Sequence, residues 1–282
     1  MRVCSKPQSC CPLSMSEVQL HESVLETPEL LLAELEREVA FETFTHRGGT
    51  LPRLIAVQGE VDLARGVIPV YRHPLDAPLP VCSPWTPTVL LIKKAVEARL
   101  VASGCTFNHC LLQLYRSGVD FISEHADKTL DLEPDSVIVN YSLGAARTMV
   151  LRRKDRSDGD GKMVISLPCN SVFVLPLGVN RTHTHAIKPD RRAERDQRQD
   201  EKGHRISLTF RKVVTMFDSE TGVLSGRGMG GGAGFVVHCV DCSCQECASE
   251  RERLVAAFSA ENKTSLSWQE IYGTSGFRVL TV

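Results

Sequence analysis

The segment RISLTFR, residues Arg205–Arg211, alternates polar and apolar side chains with a period of two. This period places Ile206, Leu208 and Phe210 on one face of a β-strand, and the pattern continues to Phe217. Five earlier segments also have strand character, namely Asn108–Tyr115, Ser136–Leu143, Arg147–Arg153, Lys162–Leu167 and Ser171–Leu175. Many short strands with few helices between them predict an antiparallel sandwich or barrel.

Two helices are predicted before the strands. Apolar residues recur at helical spacing in Pro28–Phe41 and in Pro87–Ala102. Thr27-Pro28-Glu29 has the residue types of a helix N-cap, a first helical position and an acidic first turn. Residues 1–26 lack sustained periodicity, so they are predicted to be a mobile lead-in.

The last part of the chain differs in composition from the strand region. Gly222–Gly234 is rich in glycine and is predicted to be a linker, and Ser249–Ala260 is a candidate helix. The predicted division has four parts, namely a lead-in with a helix at 1–50, the main domain at 51–217, a glycine-rich linker at 218–236 and a cysteine-cluster tail at 237–282.

Composition excludes several classes of protein. The 282 residues are 42% hydrophobic and carry a formal net charge of -1, which argues against general disorder and against a uniformly basic surface. No apolar run approaches the roughly 20 residues that span a bilayer, and the first residues lack the apolar block of a secretory signal. The eleven cysteines are an odd number, and seven of them are scattered singly or in an N-terminal pair, which is typical of reduced thiols. We therefore expect a monomer of the nucleus or cytoplasm with no membrane partner.

The segment His125-Ala126-Asp127 follows a strand-like pattern. One intervening residue lets the histidine and aspartate side chains leave the same side of an extended backbone. Two histidines and one carboxylate leave open metal positions, an arrangement that suits non-haem Fe(II). The second histidine must come from a later strand, and both His185 and His183 are candidates.

Arg205 and Arg211 are six residues apart in one predicted strand, so they project to the same face. Two guanidinium groups there could bind the carboxylates of a small diacid or brace a metal-bound aspartate. The alternative is a solvated strand face.

The order of these motifs resembles the AlkB family of 2-oxoglutarate/Fe(II) dioxygenases, and is closest to its nucleic-acid repair branch. The resemblance covers roughly Leu51 to Phe217. The motifs that carry it are Phe107-Asn108-x-Cys110-Leu111-Leu112-x-x-Tyr115, His125-x-Asp127, Ser142-Leu143-Gly144-Ala145, His185-x-Ile187 and Arg205–Arg211.

The resemblance implies an α+β, mainly β protein with a double-stranded β-helix (jelly-roll) core and flanking N-terminal helices. It implies that Fe(II) is held by His125, Asp127 and His185, the last preferred to His183 because an aliphatic residue follows one position on. It also implies that 2-oxoglutarate is bound by Arg205, Tyr115 and Arg211. In this family the cosubstrate is converted to succinate and CO₂, and a carbon attached to nitrogen is hydroxylated and lost as formaldehyde.

The sequence departs from the family pattern at several positions. Gln113 stands where the family has asparagine before the conserved tyrosine, which keeps the amide group but lengthens the side chain. The glycine and methionine expected around residues 170–175 are missing, and the segment between His185 and Arg205 is longer and more charged than usual.

The motifs identify candidate substrate-binding residues less clearly than candidate metal ligands. Tyr71 falls where family members carry an aromatic lid residue that stacks on the target base, although a core tyrosine is an equal alternative. Arg152 and Arg153 belong to one basic run, and Arg191 and Arg192 to a mixed-charge run. Each run is either a solvated loop or a set of phosphate contacts.

A second metal site is conceivable in the tail. Cys239, Cys242, Cys244 and Cys247 form paired Cys-x-x-Cys knuckles, which suit tetrahedral zinc, although zinc sites usually have longer loops between the knuckles. Unliganded surface cysteines are the alternative.

These observations predict an oxygenase that demethylates alkylated bases in DNA or RNA. One alternative is a 2-oxoglutarate oxygenase that acts on a small metabolite or a protein side chain. Another is a binding module whose catalytic site has decayed.

Overall fold

The computed structural model describes residues 17–46, 49–73, 82–100, 104–155, 161–190, 203–229, 235–236, 244–274 and 276–279. The strands in these residues are β1 (Gln19–Glu22), β2 (Glu42–His46), β3 (Gly49–Gly59), β4 (Val67–Pro69), β5 (Ser83–Pro84), β6 (His109–Tyr115), β7 (Ile122–His125), β8 (Val137–Gly144), β9 (Arg147–Arg153), β10 (Lys162–Leu167), β11 (Ser171–Pro176), β12 (His183–Ile187), β13 (Arg205–Arg211), β14 (Thr215–Asp218), β15 (Val223–Gly226) and β16 (Phe235–Val236). The helices are α1 (Pro28–Glu38), α2 (Pro87–Arg99), α3 (Leu177–Thr182), α4 (Gln245–Lys263) and α5 (Trp268–Tyr272), and Arg227–Met229 forms a 3-10 turn.

Two antiparallel layers form the core. The larger sheet has the order β1-β11-β8-β13-β6-β3-β2, with β5 added in parallel beside β3, and the smaller sheet has the order β10-β9-β12-β7. A shared apolar cluster joins them, with Ile138 and Phe173 from the larger sheet and Leu151, Ile165 and Ile187 from the smaller one. The predicted class, mainly β with a jelly-roll core and flanking N-terminal helices, is confirmed.

The period of two in β13 separates two environments. Its apolar residues pack with the helices on the outer face of the larger sheet, against Leu35 of α1 and Ile92 of α2. Its polar residues are also buried, and Arg205, Thr209 and Arg211 line a pocket between the two sheets. One face of β13 therefore packs in the core, and its other face lines the candidate site.

The structure differs from the sequence prediction at several boundaries. Residues Gln19–Glu22 form β1 and pair with β11, so the lead-in prediction is wrong for these residues. Helix α1 begins at Pro28 as predicted, but Thr27 has a left-handed backbone and its side chain makes no cap hydrogen bond.

The predicted strand from Arg205 to Phe217 is two strands in different sheets. The side chain of Asn108 accepts from the backbone nitrogen of Val213 at 2.7 Å and donates to its carbonyl at 2.8 Å. These bonds hold the chain between β13 and β14, and β14 then pairs with β4 and β15 in a third sheet. A side-chain clamp, which leaves no periodic signal in the sequence, sets this break.

The end of the chain packs onto the core. Helix α4 contains the predicted helix Ser249–Ala260, and buries Leu254 and Phe258 against Leu130, which lies next to the candidate site. The glycine-rich segment includes β15 and the 3-10 turn, while residues 230–234 lie outside the described ranges. The four-part domain division stays a prediction. Among the described residues, no helix combines the length and apolarity needed to cross a membrane.

Candidate active site

The smaller sheet brings the candidate metal ligands together. His125 ends β7 and is paired in register with His185 of β12, so their ring centroids are 4.3 Å apart. Asp127 lies two residues beyond the end of β7. One ligand atom from each of these three residues lies within 4.8 Å of the other two, and no second group of this kind occurs in the described ranges.

His183 lies on the same strand but outside this cluster. Its Nδ1 is 2.8 Å from Thr182 Oγ1 and 3.2 Å from the Val179 carbonyl oxygen, so the end of α3 engages the ring. The spacing in the sequence left both His183 and His185 as candidates for the second histidine. The fold places His185 beside His125 and Asp127.

Local contacts set the tautomer of His125 and shift the pKa values of His185 and Asp127 toward their metal-binding forms. His125 Nδ1 lies 2.8 Å from the Ser123 carbonyl oxygen, which only accepts, so in the neutral ring Nδ1 carries the proton and Nε2 keeps its lone pair. Burial, reinforced by the neighbouring His125, lowers the pKa of His185 to about 3. Burial alone would raise the pKa of Asp127, but the Arg211 guanidinium together with the neighbouring His125 and His185 outweighs burial and holds that pKa well below its usual value. A neutral imidazole and an ionised carboxylate are the forms that bind metals.

Arg211 braces the aspartate. Its Nη2 donates to Asp127 Oδ2 at 2.8 Å, and its guanidinium carbon lies 4.3 Å from the centre of the Tyr71 ring. The hydroxyl of Tyr71 accepts from the backbone nitrogen of Lys128 at 3.0 Å, and only 7% of Tyr71 is exposed. Tyr71 therefore packs against the candidate metal site.

The pocket between the sheets contains the second arginine. Arg205 Nη2 donates to Ser142 Oγ at 2.9 Å and to Asn140 Oδ1 at 3.1 Å. Its guanidinium carbon lies 5.0 Å from the centre of the Tyr115 ring, and Tyr115 is its register partner on β6. Gln113 also lines the pocket, and its Oε1 accepts from Arg53 Nε at 2.5 Å.

The residues present fit Fe(II) and a small dicarboxylate. Two nitrogens of Arg205, Nε and Nη1, are buried without a hydrogen-bond partner among the described residues, and so are Nε and Nη1 of Arg211. Buried guanidinium N–H groups without acceptors are costly, and the carboxylates of 2-oxoglutarate would satisfy them. Two histidines and one carboxylate are a ligand set suited to Fe(II).

A larger and more open cavity lies on the other side of the ligands. Its volume is about 550 Å³, and its wall includes Tyr71, His73, Arg53 and Asn262. His125, Asp127 and Arg211 line both this cavity and the pocket between the sheets. The candidate metal site therefore borders both the small pocket between the sheets and the open cavity.

Two of the remaining predicted substrate residues, Arg152 and Arg153, lie away from the lining of this cavity. Arg152 and Arg153 are on β9, and Arg152 Nε lies 3.5 Å from Glu124 Oε2. Neither lines the open cavity. Arg191 and Arg192 lie outside the described residues.

The cysteine cluster is only partly described. Cys239 and Cys242 lie outside the described residues. Cys244 immediately precedes α4, and Cys247 in the first turn of α4 packs against the apolar cluster around Leu254.

Two asparagines that sequence reasoning missed hold the loop around Asp127. Asn180 of α3 accepts from the Asp127 nitrogen at 3.0 Å and donates to the Asp127 carbonyl at 2.9 Å. Asn262 of α4 accepts from the Ala126 nitrogen at 2.9 Å. Both are far from Asp127 in sequence, and neither belongs to a motif.

Comparisons with known proteins agree with this geometry. The profile of the 2OG-Fe(II) oxygenase superfamily matches residues 24–211. Human DNA oxidative demethylase ALKBH2 is 29% identical over 195 residues, which cover 65% of this chain and 68% of that protein. Human alpha-ketoglutarate-dependent dioxygenase alkB homolog 3 is 24% identical over 217 residues, which cover 73% of this chain and 69% of that protein.

A solved structure described as that of OsALKBH1 matches with a TM-score of 0.48 at 17% identity, over 69% of this chain and 97% of the other. The superfamily profile covers most of the chain, and includes all three clustered ligands and both arginines. The resemblance seen in the sequence is thereby confirmed. The chain belongs to the 2OG-Fe(II) oxygenase superfamily and is an AlkB-like dioxygenase that depends on Fe(II) and 2-oxoglutarate.

Proposed function

We propose that this dioxygenase oxidatively demethylates alkylated bases in DNA or RNA and releases formaldehyde, succinate and CO₂. One observation carries the proposal: the open cavity of about 550 Å³ meets the small pocket between the sheets at His125, Asp127 and Arg211. A base in the cavity and 2-oxoglutarate in the pocket would thus approach the same ligand set from two sides. The relatives named as a DNA oxidative demethylase support this substrate class.

In this proposal His125, Asp127 and His185 hold Fe(II). The bound iron and 2-oxoglutarate supply the oxygen activation needed to hydroxylate a methyl group on nitrogen. The Ser123 carbonyl keeps the proton on His125 Nδ1, so Nε2 faces the ion. Arg211 keeps Asp127 ionised by donating to its Oδ2.

The cosubstrate would be bound mainly by arginine. Arg205 would pair with the distal carboxylate, because two of its buried nitrogens lack partners among the described residues. Tyr115 lies beside it in the same pocket and would hydrogen-bond the cosubstrate. Arg211 would face the keto-acid end with the nitrogens that Asp127 leaves free. Gln113 would contact the cosubstrate with the part of its amide that Arg53 does not use.

The substrate would enter through the open cavity. Tyr71 and His73 form part of its wall, with their rings stacked at a centroid distance of 5.7 Å. An aromatic wall favours a planar base, so we propose that Tyr71 contacts the base. Arg152, Arg153, Arg191 and Arg192 would contact phosphates of the nucleic acid.

The test is a demethylation assay. Purified protein with Fe(II), ascorbate and 2-oxoglutarate should release formaldehyde from short single strands that carry 1-methyladenine or 3-methylcytosine. Mass spectrometry of the oligonucleotide should show loss of the methyl group. His185→Ala should abolish the reaction, whereas His183→Ala, altered outside the ligand cluster, should retain most of it.

One outcome of this assay would contradict the nucleic-acid proposal. If the protein converts 2-oxoglutarate to succinate with another substrate but leaves every methylated oligonucleotide intact, the nucleic-acid proposal fails. The oxygenase assignment would then stand, with a small metabolite or a protein side chain as the target.

Three further expectations stay predictions. They are a zinc ion at Cys239, Cys242, Cys244 and Cys247, a monomeric state, and a nuclear or cytoplasmic location. Metal analysis of protein purified without added zinc tests the first, since one zinc per chain that is lost in Cys242→Ser and Cys244→Ser would support it.

A further inference from the structure

We propose that Asn262, in the last turn of α4, is a positioning residue for the iron site. Its side-chain oxygen fixes the loop that carries Asp127, so the end of the chain helps to set the spacing of the metal ligands. This inference rests on the proposed iron site. It concerns a part of the chain beyond residues 24–211, where the superfamily profile matches.

The contacts of Asn262 bracket Asp127 on both sides. The backbone nitrogen of Ala126 donates to Asn262 Oδ1 at 2.9 Å, and Lys128 Nζ donates to the same oxygen at 2.6 Å. Both partners are donors only, so the atom between them must be the oxygen of the amide and not its nitrogen. One oxygen thus ties together the residues before and after the candidate ligand.

The loop depends on such side chains because it lies beyond the sheet. Strand β7 ends at His125, so the backbone of the next residues has no ladder partner. Asn180 holds the backbone of Asp127 from one side, and Asn262 holds Ala126 from the other. Buried backbone groups need such partners, and the two asparagines supply them.

The end of α4 is itself firmly placed. Glu261 Oε1 accepts from the backbone nitrogen of Thr129 at 3.0 Å and from Thr129 Oγ1 at 2.5 Å, and its other oxygen accepts from the Tyr272 hydroxyl. Lys154 Nζ donates to the Glu261 carbonyl at 2.5 Å. The helix end is therefore anchored to the core at the residue next to Asn262.

A second anchor fixes the far side of the same loop. Arg72 pairs with Asp131 and donates to the carbonyl oxygens of Phe277 at 2.6 Å and Val279 at 3.2 Å. Both charged side chains are fully buried. The segment from Ala126 to Asp131 is thus held at one end directly by Asn262 and at the other through Arg72, which links Asp131 to Phe277 and Val279.

The test compares Asn262→Ala with Asn262→Asp. Alanine removes the acceptor, whereas aspartate keeps an oxygen for both donors. Glu250→Ala is the matched control, because it too removes an α4 side-chain oxygen that accepts from a backbone nitrogen, here that of Arg278 at 3.1 Å, and it leaves the Asn262 and Glu261 contacts in place.

The first readout is metal affinity, measured by anaerobic calorimetry with Mn(II). Loss of a residue that orients a metal ligand typically lowers affinity by about 10- to 100-fold, and we expect a loss in this range for Asn262→Ala. Asn262→Asp and Glu250→Ala should bind Mn(II) close to the wild-type affinity. If Asn262→Ala binds as tightly as wild type, or if Glu250→Ala loses as much, Asn262 has no positioning role.

The second readout needs no metal. Hydrogen exchange of peptides spanning residues 122–131 in the metal-free protein should be faster in Asn262→Ala and near wild type in Asn262→Asp. Unchanged exchange in Asn262→Ala overturns the inference. Failure of the wild type itself to bind Mn(II) would instead refute the proposed iron site, so the two failures are distinguishable.

Discussion

The guanidinium of Arg211 donates to Asp127 Oδ2 at 2.8 Å, and both side chains are buried. The other oxygen of the same carboxylate lies 3.6 Å from His125 Nε2. One carboxylate thus faces an arginine from the larger sheet with one oxygen and a candidate metal ligand with the other. The Arg211–Asp127 pair therefore connects the pocket between the sheets to the candidate metal site.

Arg211→Met should strongly destabilise the metal-free protein. The substitution leaves Asp127 buried without its cation, and breaking a buried ion pair in this way costs about 3–5 kcal/mol. Urea unfolding in the presence of a chelator measures the change in the free energy of unfolding.

The matched control for Arg211→Met is Arg116→Met. Arg116 also pairs with an aspartate, Asp120, at 3.0 Å, but half of its side chain is exposed. Asp120 is buried but keeps a hydrogen bond from the backbone nitrogen of Arg116 at 2.8 Å, and solvent screens the half-exposed guanidinium, so this variant should lose much less stability than Arg211→Met. If both substitutions change the free energy of unfolding equally, the buried Arg211–Asp127 pair contributes no more to stability than the Arg116–Asp120 pair does.

Arg205→Lys should weaken the binding of 2-oxoglutarate and leave metal affinity unchanged. Lysine keeps the positive charge but loses the planar guanidinium, whose Nε and Nη1 have no other partner in the described part of the chain. One hydrogen bond to a charged group contributes about 1.5–3 kcal/mol, which corresponds to roughly a 10- to 100-fold rise in KM. Steady-state kinetics with varied 2-oxoglutarate, beside Mn(II) calorimetry, separates the two effects. An unchanged KM would remove Arg205 from the cosubstrate site.

The metal-free protein should lose stability as the pH falls below about 6.5, and His109 should contribute to this loss. Burial, together with the neighbouring Arg211, holds the pKa of His109 well below the usual value of 6.5. The unfolded chain therefore binds a proton at this residue at a pH where the folded chain does not. Unfolding becomes easier by up to about 1.4 kcal/mol per pH unit for each such group.

Urea midpoints between pH 7 and pH 5 measure this dependence. His109→Gln, which does not titrate in this range, should give a shallower slope than wild type. Identical slopes would mean that His109 keeps a similar proton affinity in the folded and unfolded states.

Gly228→Ala should destabilise the fold. A methyl group at this position would overlap Arg72 Nη2 and Asp131 Oδ1 of the fully buried ion pair. Overpacking of this kind typically costs about 1–3 kcal/mol. Thermal unfolding checks the effect, with Ser225→Ala as the control because it adds no atoms to the nearby strand β15. A wild-type melting temperature for Gly228→Ala would show that the Arg72 and Asp131 side chains can move at little cost.

Gly228 also shows that a glycine-rich composition has more than one structural meaning. Glycine-rich sequence usually indicates a flexible connection, which is the interpretation that composition favours for Gly222–Gly234. At Gly228 the absence of a side chain instead allows a close approach to Arg72 and Asp131. Flexibility and close packing both select glycine, so composition alone could not separate them.

The sequence by itself determined the sheet core and most of the candidate site. A period of two is a local property, so the seven residues of β13 were enough to assign one face to the core and the other to Arg205 and Arg211. The spacing His125-x-Asp127 is equally local. A strand, once formed, fixes on which side its residues lie.

Only the tertiary structure decided which distant side chains complete the site. The family resemblance already favoured His185 over His183, and the tertiary structure supplies the physical reason, because β12 pairs with β7 in the register that sets His185 opposite His125. The tertiary structure also brought Asn262 to Ala126 across 136 residues of sequence, and Asn180 to Asp127 across 53. Hydrogen bonds between distant segments need only one donor and one acceptor at the right place, so they leave no spacing or periodicity in the sequence. They become visible when the sheets and α4 have packed together.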